Sequence, residues 1–174
     1  MPNSDTSPSS PEQARKQLWD LIEGIRFAMF TTRHSNGHLH SRPMTTQNAE
    51  IGDDASLWFF MSKSGEPVAD LKADPTVNLV YADAGEDTYV SISATAAVVE
   101  NAQKTLELWS KLAEAWFPGG VTDPDLALVQ VKITHANYWD MDQSKPVQLF
   151  HIAKALVMGK PPAHLGDHAE IRFS

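Results

Sequence analysis

The chain has 174 residues, 42% of them apolar and 21% charged, enough for one domain with a full core. Its net charge of −8 argues against a general nucleic-acid or anionic-membrane surface, because both need clustered Lys and Arg; a single local phosphate site stays open. The absence of cysteine excludes disulfides, thiolate chemistry and cysteine-held zinc or iron–sulfur centres.

Residues 1–10, MPNSDTSPSS, are rich in Ser and Pro and predict a disordered tail. They carry neither the basic n-region nor the apolar core of a signal peptide, and no apolar run approaches membrane-spanning length, so the expectation is a soluble cytoplasmic protein. Ser10-Pro11-Glu12-Gln13 reads as a helix start, with Ser10 as N-cap, Pro11 at the first helical position and Gln13 closing a capping box. Leu18, Leu21, Ile22 and Ile25 give that helix an apolar face, and Gly24 is its expected stop.

Asn36-Gly37 predicts a two-residue type I′ turn between antiparallel strands at Ile25–Thr32 and His38–Thr46. Pro43 cannot donate to a ladder and belongs on an edge or at a bulge. Ser56–Ser62 reads as an aromatic-rich strand and Glu66–Ala73 as a short helix with Pro67 in its first turn. Thr76–Ala82 and Tyr89–Val99 alternate with period two around the polar loop DAGED. A helix is expected over Asn101–Ala115, then a breaker, FPGGVTDPD, then a last strand pair at Leu126–Ile133 and Ala136–Met141. Beyond Gln143 the pattern weakens: Phe150–Val157 reads as helical and Gly159–Ser174 as a loose tail.

Strands joined by short loops, with helices inserted singly, do not fit repeated βαβ units. They predict a mainly β (α+β) antiparallel barrel with peripheral helices, one domain over residues 11–142 and a partly helical C-terminal extension over residues 143–174.

His34, His38 and His40 are the candidate metal ligands, and residues 38 and 40 share a strand face. No carboxylate stands at a fixed companion spacing, so the expectation is solvated histidine at a turn and no metal. There is no GxSxG, SxxK, Walker loop or GxGxxG, so any nucleotide must be held by another design. Arg42 stands beside the edge proline, where free N–H groups and a cation make a place for an anion. Lys63 and Ser64 follow an aromatic strand next to a helix start, a setting that attracts phosphate. Trp58 reads as core, whereas Trp116 and Trp139 are harder to bury and suit a flat ring.

The order HSRPM, LWFFMSKS, ADLKADPTVNLVYAD, YVSISATAAVV, AWFPGG..DPDLAL and ANYWDM resembles the pyridoxamine phosphate oxidase-like FMN-binding split barrels, in particular their general stress protein branch. The resemblance spans residues 12–142 and rests on the ordered set of motifs. It implies a six-stranded antiparallel split barrel, a homodimer, and FMN, or FAD, in clefts at the dimer interface. Matched position by position, Arg42 would take the flavin phosphate, with Pro43, Met44 and Thr45 near the ring. Phe60 and Met61 match a second strand contact, Trp139 a tryptophan near the cofactor, and Trp116 would come from the partner subunit. Gly65 and Pro67 stand where the family has a serine and a lysine on the phosphate, which leaves Lys63 and Ser64 as substitutes. The Arg-His-Arg substrate motif of the vitamin-oxidising members is replaced by DMDQSKPVQLFHIA, so oxidation of pyridoxamine phosphate is not expected. The resulting expectation is a flavin-binding general stress protein, either an FMN-dependent oxidoreductase acting on a small molecule or a non-catalytic flavin-binding or flavin-buffering protein. No catalytic residue is assigned.

Overall fold

The structure is a computed structural model that describes residues 10–140 and 167–173. Its first helix, α1 (Pro11–Ile22), begins as its sequence dictates: Ser10 Oγ accepts the Gln13 N–H at 3.2 Å, and Pro11 costs nothing where an N–H would have no helical partner. Ala14, Leu18 and Ile22 are buried along one stripe of this helix. Strands β1 (Ala28–Arg33) and β2 (Leu39–Met44) follow, then β3 (Ser56–Ser62), α2 (Glu66–Ala73), β4 (Thr76–Asp83) and β5 (Thr88–Val99). Two short helices, α3 (Ala102–Leu108) and α4 (Lys111–Glu114), lead to β6 (Leu126–Asp140) and β7 (Asp167–Arg172).

All strand pairs are antiparallel, in one seven-stranded sheet of order β2-β1-β4-β5-β6-β3 with β7 also on β6. β6 runs along β5, while its other edge is shared: β3 pairs its first half and β7 its second. Phe30, Leu57, Phe59, Leu79, Tyr81, Ile92 and Val129 are wholly buried inside, with Phe30 edge-on to Phe59 at 5.2 Å. β3 is covered on both faces, which is why its apolar run is unbroken. Leu57, Phe59 and Met61 join the main core, while Trp58 and Phe60 face a second cluster with Ala113, Phe117, Leu126 and Leu128.

Four expectations are corrected. The hairpin turn is not type I′: only Gly37 has positive φ (86°), and its N–H bonds the His34 carbonyl at 2.8 Å. This is a type I turn closed by glycine, and it lets Asn36 stay in the right-handed region and accept the His38 N–H at 3.0 Å. The expected helix over Asn101–Ala115 is two helices, broken at extended Trp109 and Ser110. The break lets Trp109 pack on Phe60 (centroids 5.6 Å apart) while α4 turns back over β3. The last strand pair is one strand, β6, in which Thr134 is an extra residue between the pairs Ser93–His135 and Ala94–Ile133. The chain end is not wholly loose, since β7 adds a seventh strand and buries Ile171 in the core. The tail before Ser10 and the helix expected at Phe150–Val157 lie outside the described residues.

Candidate functional site

The edge position of Pro43 holds: among the described residues β2 pairs only with β1, Pro43 opposite Met29. The chain leaving β2 is then stitched to β3, with Gln47 N–H on the Trp58 carbonyl (2.9 Å) and Trp58 N–H on Asn48 Oδ1 (2.7 Å). Between this segment and α4 opens a cleft of about 300 Å³. Pro43, Met44 and Thr45 line it together with Phe60 and Met61 of β3 and with Leu112, Trp116 and Phe117. Arg26 and Phe27, just ahead of β1, close one side. The rim is apolar and open to water: Trp116 is 79% exposed, Leu112 49% and Phe27 45%. A contiguous exposed apolar patch of this kind marks a binding surface or a subunit contact.

Six of the ten residues singled out from sequence therefore meet in one cleft: Pro43, Met44, Thr45, Phe60, Met61 and Trp116. Trp116 lines the cleft of its own chain, where the family resemblance has it reaching across from a partner. Trp139 stands elsewhere, at the far end of β6, stacked on His168 of β7 with centroids 4.9 Å apart.

Lys63 and Ser64 turn the chain into α2, and the amides expected to attract phosphate there are already engaged. Lys63 N–H donates to the Asp125 carbonyl at 2.6 Å, Ser64 N–H to Asp125 Oδ1 at 2.9 Å, and Gly65 N–H to the Ser62 carbonyl at 3.0 Å. Ser62 Oγ donates to the other Asp125 oxygen. The hydrogen bonds from Ser62 Oγ, foremost, and from Ser64 hold the Asp125 carboxyl below the usual aspartate range, so a carboxylate faces the cleft at neutral pH. Lys63 keeps an exposed side chain beside it.

Arg42 does not line the cleft. Its guanidinium donates to Thr32 Oγ1 at 2.7 Å and to Glu66 Oε1 at 2.9 Å, with Asp70 Oδ2 at 3.7 Å. Thr32 in turn donates to Asp70 Oδ2 at 2.6 Å, and His34 and His40 turn their Nδ1 atoms to Asp70 (2.9 Å) and Glu66 (2.6 Å). Burial would push the Asp70 carboxyl up. The hydrogen bonds from Thr32 and His34 and the charges of His34 and Arg42 outweigh it, and the group lies below the usual range. Glu66 is lowered as well, chiefly by its hydrogen bond to His40.

Sequence reasoning missed Arg26, Phe27, Phe117 and Asp125 in the cleft, and Glu66 and Asp70 around Arg42. Asp125 carried a signal, since an aspartate in DPD directly before a strand suits capping of a neighbouring turn. The others come together only through tertiary contacts.

The seven-stranded sheet and the lateral cleft define a mainly antiparallel split barrel. The chain belongs to the pyridoxamine 5′-phosphate oxidase like family, whose model matches residues 13–163. It is 27% identical over 159 residues to protein bli-3 of Neurospora crassa, covering 86% of this chain and 76% of that protein. The crystal structure of a putative general stress protein 26 from Jannaschia sp. CCS1 superposes with a TM-score of 0.71 at 26% identity, over 91% of this chain and 97% of the other. The general stress FMN/FAD binding protein of Xanthomonas citri gives a TM-score of 0.64 at 29% identity, over 76% and 92%.

Proposed function

We infer that this chain is a cytoplasmic flavin-binding protein of the general stress type that takes FMN, or FAD, in the cleft between β2, β3 and α4. The apolar slot from Met44 and Phe60 to the exposed Trp116 carries the reading, because it offers a flat ring an apolar lining and an aromatic cover. The likeness to a protein described as FMN/FAD binding supports it. A bound flavin supplies one- and two-electron chemistry; the chain supplies placement and electrostatics. Pro43, Met44, Thr45, Phe60 and Met61 would lie against the ring, and Trp116 would shield it. The phosphate would reach Arg42 by displacing Glu66 from one guanidinium nitrogen, with Lys63 as a second, exposed cation. Neither Lys63 N–H nor Ser64 N–H serves as a phosphate donor in this reading, since Asp125 holds both.

A second reading, flavin binding or buffering without turnover, is favoured by the state of the cleft's ionisable groups. Among the described lining residues these are Arg26 and Asp125, and Asp125 is held as the carboxylate. As a carboxylate, Asp125 has no proton to donate near neutral pH. The same exposed rim suits a symmetric partner, and a homodimer belongs to the proposal.

Adding FMN to purified protein and removing the excess by gel filtration should leave a flavin spectrum at one flavin per chain, with light scattering reporting a dimer. Colourless protein would reject flavin binding, and a monomer at micromolar concentration would reject the shared interface. Oxidation of NADH or NADPH by the flavin-loaded protein under air separates the oxidoreductase from the buffering protein.

A further inference from the structure

We propose that His34, His40 and Glu66 form a binding site for a zinc-type divalent transition-metal ion, outside the apolar slot that would take the flavin ring and next to Arg42, with which it shares Glu66. β2 sets His40 opposite Thr32 of β1, and the glycine-closed turn brings His34 alongside it. The two imidazoles are parallel, with centroids 5.0 Å apart and planes 6° from each other. Glu66 Oε1 lies 2.6 Å from His40 Nδ1 and 3.5 Å from His34 Nδ1, which is hydrogen-bonded to Asp70 Oδ1 at 2.9 Å. One ligand atom from each residue lies within 4.8 Å of the other two. Donors around a tetrahedral zinc at its usual bond lengths sit about 3.3 Å apart, so small side-chain rotations suffice to close the set.

The surroundings suit a cation. Glu66 and Asp70 bring two carboxylates to a cluster whose one permanent cation is Arg42. Asp70 Oδ1 lies 2.9 Å from His34 Nδ1; that hydrogen bond gives way when the nitrogen turns to the ion, and Asp70 stays close as a second negative charge. When Glu66 turns to the ion, Arg42 keeps Thr32 at 2.7 Å and Asp70 at 3.7 Å. The site is accessible, since the side chains of His34, His40 and Glu66 are 30%, 41% and 45% exposed. Two imidazoles and one carboxylate select zinc, cobalt or nickel over magnesium and calcium, and three protein ligands leave one position for water. Each ligating Nδ1 gives up its proton, to solvent or to its own Nε2, as the metal arrives. An occupied site would clip the β1–β2 hairpin to the first turn of α2, which are held here by hydrogen bonds.

The test uses the full chain without a histidine tag, stripped with a chelator and titrated with zinc at neutral pH by calorimetry. One zinc per chain is expected, with a rise in the thermal midpoint that grows with zinc concentration. His40→Ala should weaken binding at least about tenfold and abolish the thermal shift, whereas His38→Ala should change neither. His34→Ala provides a second arm should His40→Ala fold poorly. Absence of saturable binding at micromolar zinc, or binding to His40→Ala and His34→Ala as tight as to the parent, would overturn the proposal. The latter result would place the ion elsewhere on the chain.

Discussion

Asp70→Ala is expected to lower the unfolding free energy by about 3 kcal/mol, the usual scale for removing one partner of a buried charge cluster. The Asp70 side chain is only 2% exposed, and wholly buried Thr32 donates to it at 2.6 Å. Alanine would leave the Thr32 hydroxyl without an acceptor and Arg42 with less compensating charge. Urea unfolding should show a lower midpoint at unchanged slope, and a loss under about 1 kcal/mol would mean that the cluster relaxes or takes in water. The same carboxylate makes the fold acid-sensitive. Its pKa in the folded chain lies below the ordinary 3.8, so its contribution is fully present above that value and is lost as pH falls through the folded pKa. Glu66, Asp74 and Asp125 are shifted in the same direction and add to the same acid limb. The Asp70→Ala chain should therefore lose less stability between neutral and acid pH than its parent.

The Arg42–Glu66 pair should decide how strongly a flavin phosphate is held. A charge-assisted hydrogen bond contributes about 1.5–3 kcal/mol, and here one guanidinium nitrogen already spends its bond on Glu66 at 2.9 Å. Arg42→Ala is expected to weaken FMN roughly tenfold, about 1.4 kcal/mol, and to leave riboflavin unchanged because riboflavin has no phosphate. Glu66→Gln should tighten FMN by a similar factor, since it removes a negative charge beside the phosphate and releases the arginine. Fluorescence titrations of the three proteins with both ligands provide the check. Equal losses for FMN and riboflavin in Arg42→Ala would show a structural rather than a phosphate-binding role.

Local signals carried much of the fold. The Ser10–Pro11 helix start, the period-two strands β4 and β5 and the Asp74-Pro75 stop after α2 each depend on residues within a few positions, and each stands where expected. The Asn36-Gly37 turn was legible as a turn but not as a type, because type I with a closing glycine and type I′ share that dipeptide. The break at Trp109 was hidden because helical periodicity continues through it, and packing on Phe60 decides the matter. β7 lies beyond a stretch without clear pattern, and only the free second half of β6 calls for it.

The site divides in the same way. Pro43, Met44, Thr45, Phe60 and Met61 are legible through the resemblance, which the ordered motifs HSRPM and LWFFMSKS carry. Arg42 was legible as a cation at an edge, but its neutralisation was not, since Glu66 and Asp70 lie 24 and 28 residues further on. The histidines show the same limit. Their companion carboxylates come from one face of α2, where residues four apart are neighbours, and not from any fixed spacing to His34 or His40.

The central claim is that a flavin ring lies in the cleft under Trp116, and titration of FMN into the parent chain and into Trp116→Ala tests it most directly. Trp116 is 79% exposed, so its removal should leave the fold intact and remove only the cover of the ring. Saturable quenching of flavin fluorescence by the parent is expected. Trp116→Ala should weaken FMN and riboflavin alike by roughly tenfold, a stacking contribution of about 1–3 kcal/mol. Failure of the parent to quench either flavin, or identical dissociation constants in Trp116→Ala, would contradict the placement of the ring.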